Sequence, residues 1–411
     1  MENLQPKLRF PEFREDWKHI SLGEISMKPK YGLNSSAKDY DGNNGYLRIT
    51  DIDENTNKFI SKGITSPEKF SDDYLLNEGD LLFARTGNST GKSYLYDKND
   101  GRLYFAGFLI RFRLNPINNF KFIFYQSKLS SYDKWVKVMS MRSGQPGINS
   151  EEYSSLRLNI PTLKEQTKIA DFLGAVDKQL DILNQKKEKL NLYKKGVMQQ
   201  LFSQQIRFKD DNGNDFPDWQ EKTLGEVANS FNGLTGKTAK DFGEGKKYIQ
   251  YKQIFDKPYI DTNDCGLVNI EDDEKQNQCK IGDVFFTVSS ETKEEIAMSS
   301  VIENSINIPL YLNSFCFGVR FNDNVLIPKF SRFYFRNESF RKSVIVLAQG
   351  STRFNLSKVN FMKLTITIPS IEEQTKIAEF LSAIDVQIEA VENQITKTET
   401  YKKGLLQQMF V

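Results

Sequence analysis

The residues that first suggest chemistry are Thr86-Gly87-Asn88-Ser89-Thr90-Gly91-Lys92-Ser93. A phosphate-wrapping loop needs Gly, four residues, then Gly-Lys-Ser or Thr, so that successive amides can cradle a nucleotide. Here the position six before Lys92 is Thr86, and Gly87 comes one residue late. The later Gly233-Leu234-Thr235-Gly236-Lys237-Thr238 is shorter still, which argues against nucleotide hydrolysis. A better reading is a polar loop whose amides, with Arg85 and Lys92, approach phosphates or base edges of DNA. An ordinary polar turn would look the same.

A second pair of loops supports the nucleic-acid reading. Met141-Arg142-Ser143-Gly144-Gln145-Pro146-Gly147-Ile148-Asn149 is matched in position by Gln349-Gly350-Ser351-Thr352-Arg353-Phe354-Asn355-Leu356. Arg and Gln make bidentate contacts to guanine and adenine, which gives both loops a chemical reason to face a groove, and a structural turn before a strand is the alternative. Other chemistry lacks its side chains. One histidine and three cysteines, Cys265, Cys279 and Cys316, fall in no ligand-like spacing, which argues against zinc, histidine triads and a disulfide scaffold. A formal net charge of +2 leaves any basic footprint local. No apolar run approaches membrane-spanning length and no charged-then-apolar leader opens the chain, so a soluble cytoplasmic protein is expected.

The elements that must hold these loops are written twice. Residues 160–202 and 368–410 repeat at a constant offset of 208: IPTLKEQTKIADFLGAVDKQ answers IPSIEEQTKIAEFLSAIDVQ, and YKKGVMQQLF answers YKKGLLQQMF. Thr162 with Glu165, and Ser370 with Glu373, have capping-box spacing at a helix start. Apolar residues then recur at gaps of three and four: Ile169, Leu173, Val176, Leu180 and Leu183, and again Ile377, Leu381, Ile384, Ile388 and Val391. So narrow a stripe predicts a coiled-coil seam, interrupted in the first copy by Lys187 and Lys194. Residues 163–202 carry eight Lys against five acids, and 371–410 four Lys against seven acids. Opposite net charges suggest that the two helices pair with each other, antiparallel if the second returns beside the first. Packing of each helix on its own domain, or on another chain, is the alternative.

The arm LRFPEFREDWKHISLGEI recurs as IRFKDDNGNDFPDWQEKTLGEV, matching Trp17 to Trp219 and Leu22-Gly23 to Leu224-Gly225. The chain is therefore arm, globular unit, rod, twice over. We divide it as 1–161, an arm with a first domain; 162–203, a first spacer helix; 204–369, the repeated arm with a second domain; and 370–411, a second spacer helix. The expected class is α+β: two mixed α/β domains joined by two long antiparallel coiled-coil helices with internal pseudo-twofold symmetry. Within the domains, residues 79–83 answer 282–286, 46–52 answer 248–254, and 107–115 answer 314–322, all read as short strands. The aromatic and basic segments 119–138 and 328–346 are read as helices on the sheet. At the matched loops the chemistry diverges: Arg85, Thr86, Gly87 and Asn88 face Val288, Ser289, Ser290 and Glu291. Two readers of different sequences would show this pattern, and so would drift of surface loops.

The rod motif EQxKIAxFL followed by YKKGxxQQxF, its repetition, the FPxW-like arms and the GDLLFARTG loop resemble the specificity subunit of a type I restriction-modification system. The resemblance covers the whole chain. It implies two target-recognition domains, each reading half of a bipartite asymmetric site, and a pair of spacer helices acting as a ruler. It further implies a non-catalytic subunit without cofactors of its own. Two methylation subunits would carry S-adenosylmethionine, and two ATP- and Mg-dependent restriction/translocase subunits would join them on double-stranded DNA. The sequence has no Pro-Pro dipeptide and so no amino-methyltransferase motif. By position and chemistry the expected DNA contacts are Arg48, Thr50, Arg85, Asn88, Lys92, Arg142 and Gln145 in the first domain. In the second they are Gln250, Lys252, Ser289, Lys293, Thr352 and Arg353. A non-catalytic coiled-coil adaptor of another DNA-modifying complex is the alternative function.

Overall fold

A computed structural model describes residues 5–411. The chain separates into two units: residues up to Asn184 with Asn393–Val411, and Gln185–Glu392. Each long helix thus contributes one half to each unit.

The first unit is built on a four-stranded sheet in the order Lys30–Tyr31, Leu109–Arg113, Asp80–Ala84, Ser93–Leu95, all neighbours antiparallel. Its central strand is buried on both faces. Leu81 and Phe83 join Phe112, Phe122 and Tyr153 on one side, while Leu82 and Ala84 join Leu47, Phe105 and Leu109 on the other. That is the two-residue period of a strand between two apolar layers. One layer is the parallel pair Gly45–Leu47 with Leu103–Phe105, and the other holds the helices Phe120–Gln126 and Ser130–Met139. Lys18–Ser21 pairs with Arg157–Ile160, whose chain runs on into the first long helix, Leu163–Phe202.

The second unit repeats the plan. Its sheet runs Ala228–Asn232, Cys316–Phe321, Val284–Thr287, Ser299–Val301, with Val284 and Phe286 in one core and Phe285 in the other. Residues 247–249 pair parallel with 310–312, and the helices are Pro328–Tyr334 and Glu338–Ile345. Gln220–Thr223 pairs with Thr365–Ile368 ahead of the second long helix, Ile371–Met409.

The seams are where the spacing put them. Ile169, Leu173 and Leu183 are buried, as are Ile377, Leu381, Ile384, Ile388 and Val391, while Val176 and Leu180 are half-buried. Both packing expectations hold in part. The first turns of each helix enter the core of a globular unit, with Ile169 and Leu173 in one and Ile377 and Leu381 in the other. The other helix's end joins the same core: Leu405, Met409 and Phe410 in the first unit, Val197, Leu201 and Phe202 in the second. In the second unit the two lysines that interrupt the seam form ion pairs, Lys187 with Glu392 at 2.8 Å and Lys194 with Asp385 at 2.5 Å. Seven residues forward on one helix is seven back on the other, so the pairing there is antiparallel. In the first unit Lys402 meets Asp177 at 2.5 Å, the repeat-equivalents of Lys194 and Asp385.

Two expectations need correction. The strands read over 46–52 and 248–254 stop early. In the first unit Gly45–Leu47 gives way to the single turn Ile49–Asp51, because Asp51 accepts both the Arg48 amide and its side chain. In the second, Phe242–Ile249 gives way to the helix Tyr251–Asp256. The capping boxes also fail to close. Ser370 Oγ does accept the Glu373 amide at 3.3 Å, but both glutamates turn elsewhere.

Candidate nucleic-acid interface

The glutamates that leave the caps anchor the arms. Glu165, 1% exposed, takes Arg9 through Nε and Nη2 at 2.8 Å each and the Trp17 indole at 3.3 Å. Glu373 takes Arg207 at 3.1 and 2.8 Å and the Trp219 indole at 3.0 Å. A bidentate charge-assisted pair outcompetes a single amide, and hydrogen bonding to the carboxylate raises the pKa of both arginines. The neighbouring glutamines grip the domains. Gln166 Oε1 accepts the Asn119 amide and Gln374 Oε1 the Ile327 amide, each at 2.9 Å. The repeated Glu-Gln thus locks arm, helix and domain in both units.

Each domain then fixes its central strand by one buried carboxylate. Asp80 is fully buried and accepts Arg113 Nε and Nη2 at 2.7 and 2.8 Å. Asp283 does the same with Arg320 at 2.7 and 2.6 Å. Gly79 and Gly282 precede them at the same backbone angle, φ 84°, which favours glycine.

The strand so anchored ends at the loop of interest. In the first unit the loops 85–92 and 141–149 come together: Gly87 N donates to Pro146 O at 2.9 Å and Ile148 N to Arg85 O at 2.9 Å. Two buried tyrosines lock the loop's return. Tyr153 Oη donates to Ala84 O and accepts the Gly91 amide, while Tyr132 Oη donates to Gly91 O. In the second unit the counterpart is a two-residue ladder, Ser289–Ser290 against Phe354–Asn355. The structure therefore joins, in each unit, the two loops that the sequence placed more than fifty residues apart.

Individual side chains divide into free and committed. In the first unit Asn88, Thr50 and Gln145 are exposed. Arg142 is exposed but pairs with Glu152 and donates to Met139 O and Met141 O. Arg85 lies 5.0 Å over the Tyr31 ring. Arg48 spends its fork on Asp51 at 2.9 and 2.8 Å, which raises its pKa. Lys92 departs from expectation. Its side chain is 11% exposed and its ammonium donates to Ile52 O at 3.0 Å, so it buttresses the loop from beneath. With Thr50 it lines a cleft of about 370 Å³ that also holds Asp53 and Glu54, a poor setting for phosphate.

In the second unit Gln250, Lys252, Lys293, Thr352 and Arg353 are exposed. Lys252 pairs with Asp256 and Lys293 lies 5.6 Å over the Phe354 ring. Ser289 is the second departure: 5% exposed, it accepts from Arg353 Nη2 at 3.5 Å and positions that arginine. Its burial follows from the ladder with Asn355, which the sequence did not show. Sequence reasoning also missed Tyr132 and Tyr153, whose only signal was aromatic content.

The basic residues of the helical layers are structural. Arg336 donates to Ser299 O, Ile254 O, Phe255 O and Lys257 O, and burial lowers its pKa to about 10. At the equivalent place in the first unit, burial pushes Lys128 down to about 7, with Lys402 nearby adding to the shift. Burial raises the thiol pKa of all three cysteines. Among the described residues no group of three His, Cys, Asp or Glu could hold a metal ion, and no helix is long and apolar enough to cross a membrane.

Comparison with known proteins bears on this arrangement. The family model described as "Type I restriction modification DNA specificity domain" matches twice, over residues 14–192 and 217–399. The type I restriction enzyme MjaVIII specificity subunit of Methanocaldococcus jannaschii is 24% identical over 409 residues, covering 97% of this chain and 92% of its own. The putative MjaX specificity subunit of the same organism is 26% identical over 429 residues, covering 98% and 95%. The fold is also that of a type I restriction-modification S subunit from M. genitalium, with a TM-score of 0.56 at 16% identity and 99% of each chain covered. A chain from a study of complex assembly and conformational transition in the type I R-M system gives 0.58 at 18% identity, with 96% of each covered.

Proposed function

This chain belongs to the type I restriction-modification DNA specificity family, and on that premise we propose that it reads a bipartite, asymmetric DNA site, one half per domain. The observation that carries the proposal is the contrast between skeleton and loop. The Asp80–Arg113 and Asp283–Arg320 clamps present equivalent strand ends, and the loop that leaves each end is chemically different. A constant mount with a changed reader is what two unlike half-sites require. Lysines and arginines around the loops would hold phosphates in a salt-dependent way, while Asn88, Gln145, Arg142, Thr352 and Arg353 test base edges.

The helices set the separation of the readers and carry the partners. Tyr193, Lys195, Gln199 and Gln200 are exposed on the first helix, and Tyr401, Lys403, Gln407 and Gln408 repeat them on the second. A surface written twice suits two copies of one partner, which supports two methylation subunits with two restriction subunits joining them. Catalysis, S-adenosylmethionine, ATP and Mg then belong to those partners, and the assembly works in the cytoplasm on double-stranded DNA. Inserting one helical turn, about 5.4 Å, within 178–192 changes the tolerated spacer and leaves both half-sites alone.

Methylome sequencing of cells carrying this chain with its methylation partner, paired with gel shifts on the site found, tests the reading. One bipartite modified motif and a strong preference for it are expected. Modification without a two-part motif would overturn the proposal.

A further inference from the structure

Two phenylalanines stand out in the wrong place for an apolar residue. Phe108 is 62% exposed and Phe315 is 59% exposed, next to strands that are largely buried. They occupy the same position in the two domains, at the turn entering Leu109–Arg113 and Cys316–Phe321. Each is tied directly to its reading loop: Arg85 N donates to Phe108 O at 3.0 Å, and Val288 N to Phe315 O at 3.2 Å.

The turns that present these rings are built alike. Leu109 N donates to Ala106 O at 2.9 Å and Cys316 N to Asn313 O at 3.2 Å, while Gly32 N and Gly233 N close the far side on Leu109 O and Cys316 O. A side chain at Gly32 would put its Cβ 2.0 Å from Ala106 O, and one at Gly233 would meet Asn313 O at the same distance. Glycine is thus required where the chain passes against each turn. Both domains hold a large apolar ring out in water on a turn with the same hydrogen bonds, and an aromatic side chain has only two torsions to fix when it binds.

What surrounds the rings decides the occupant. A partner protein present in two copies would need the same surroundings twice, yet Gly107 and Arg85 flank one ring and Ser314 and Val288 the other. The ring is constant and the edge groups vary. DNA has that composition: every base offers an apolar face, and its edges differ.

We propose that Phe108 and Phe315 are DNA-contacting residues, one per half-site, each laying its ring on the apolar surface of a base beside the reading loop. The surface is either a thymine methyl in the major groove or the face of an unstacked base. The proposal rests on the DNA-reading function above and adds a residue class that hydrogen-bond readout does not supply.

The test uses the full chain with its methylation partner and the duplex carrying the mapped site. The unmodified complex is measured first; lack of preference for any bipartite duplex is a failure of the DNA-reading function, not of these residues. Given that preference, Phe108→Ala and Phe315→Ala should each weaken specific binding about tenfold or more, with non-specific affinity and salt slope unchanged. Ile117→Ala, at a side chain 72% exposed in another turn, should change nothing. If Phe→Leu restores affinity and thymine-to-uracil replacement in one half-site mimics the loss, the contact is the methyl. If Leu fails and 2-aminopurine in the half-site brightens on binding only when Phe is present, the contact is an unstacked face. Specific affinity within twofold of the unmodified complex in both Ala variants overturns the proposal, as does an equal loss on non-specific DNA.

Discussion

In the first unit the loop 85–92 leaves the sheet through a single turn at Gly87–Ser89 and is held by the hydroxyls of Tyr132 and Tyr153. In the second the same stretch stays extended, pairs as Ser289–Ser290 with Phe354–Asn355, and accepts a single tyrosine hydroxyl, Tyr251 Oη, on Ser289 O at 2.7 Å. Beneath these unlike loops the clamps are nearly identical in chemistry: a carboxylate, a two-toothed arginine and a glycine before the strand. The difference teaches where variation is tolerated. A buried carboxylate that loses its arginine is left with an uncompensated charge, so the mount resists change. A loop whose amides are satisfied by the main chain of the loop beside it, or by one tyrosine, can be replaced without exposing that cost.

The sharpest way to break the comparison is at its most buried joint. Glu165→Ala strands Arg9, whose side chain is 10% exposed, and should destabilise the first unit by about 3–5 kcal/mol. Glu373→Ala leaves Arg207, at 22% exposure, with Asp218 at 3.6 Å, so its cost should fall toward the lower end of that range. Urea unfolding of the whole chain, with hydrogen exchange to assign the loss to a unit, measures both. Equal losses, or losses below about 1 kcal/mol, would mean that these glutamates do not carry the joint.

Loop substitutions should act on reading and spare assembly. Gln145→Ala and Arg353→Ala should each relax or abolish modification at one half-site, with a binding cost of about 1–3 kcal/mol, while complex formation is unchanged. Half-site-resolved methylation reads this directly. Unchanged site choice after both substitutions would remove these loops from the interface.

A smaller effect should separate the units by pH. Lys128 is depressed to about 7 by burial, whereas its counterpart Arg336 stays protonated up to about 10. Between pH 7 and the ordinary lysine value the unfolded chain binds the extra proton, so the first unit should gain stability as pH rises through that window. Below pH 7 both states are protonated and the penalty is fully present. Lys128→Met should stabilise the first unit at or below neutral pH by about 1–2 kcal/mol, discounted for partial exposure, and flatten the profile. Hydrogen exchange of 80–84 against 284–287 over pH 7–9 checks this; parallel profiles in the two strands would refute it.

How much of this was legible follows from the range of each interaction. The helices and their seams were readable because their information is periodic and local: Ile169, Leu173 and Leu183, or Ile377, Leu381 and Ile384, announce a buried stripe by spacing alone. The duplication made the unit plan readable as well. Glu165 was misread because its local option, the cap, was visible, while its competitor Arg9 lay 156 residues away. Lys92 and Ser289, expected among the DNA contacts, turn inward for a similar reason. Their inward partners, Ile52 O and the strand at Asn355, are brought in by tertiary contacts that no spacing encodes. The early end of the 46–52 strand could have been found, since Arg48 and Asp51 stand three apart with the geometry of a closed turn.

The smallest prediction tests the helix pair itself, where the two units place the same residues in different company. Asp177 accepts Tyr125 Oη at 2.7 Å and pairs with Lys402; Asp385 pairs with both Lys194 and Arg332, the latter at 3.0 Å. Removing Lys402 leaves Asp177 with a neutral hydroxyl, whereas removing Lys194 leaves Asp385 with a guanidinium. Partly exposed pairs of this kind contribute about 0.2–1 kcal/mol. In the Lys128→Met background, where the repulsion between Lys402 and Lys128 is gone, Lys402→Ala should therefore lie near the top of that range and Lys194→Ala near the bottom, and added salt should shrink the gap. With Arg332→Ala added to that background the order should close, because Asp385 then depends on Lys194 as Asp177 depends on Lys402. If Lys194→Ala stays the milder change there, Arg332 is not what separates the two ends of the helix pair.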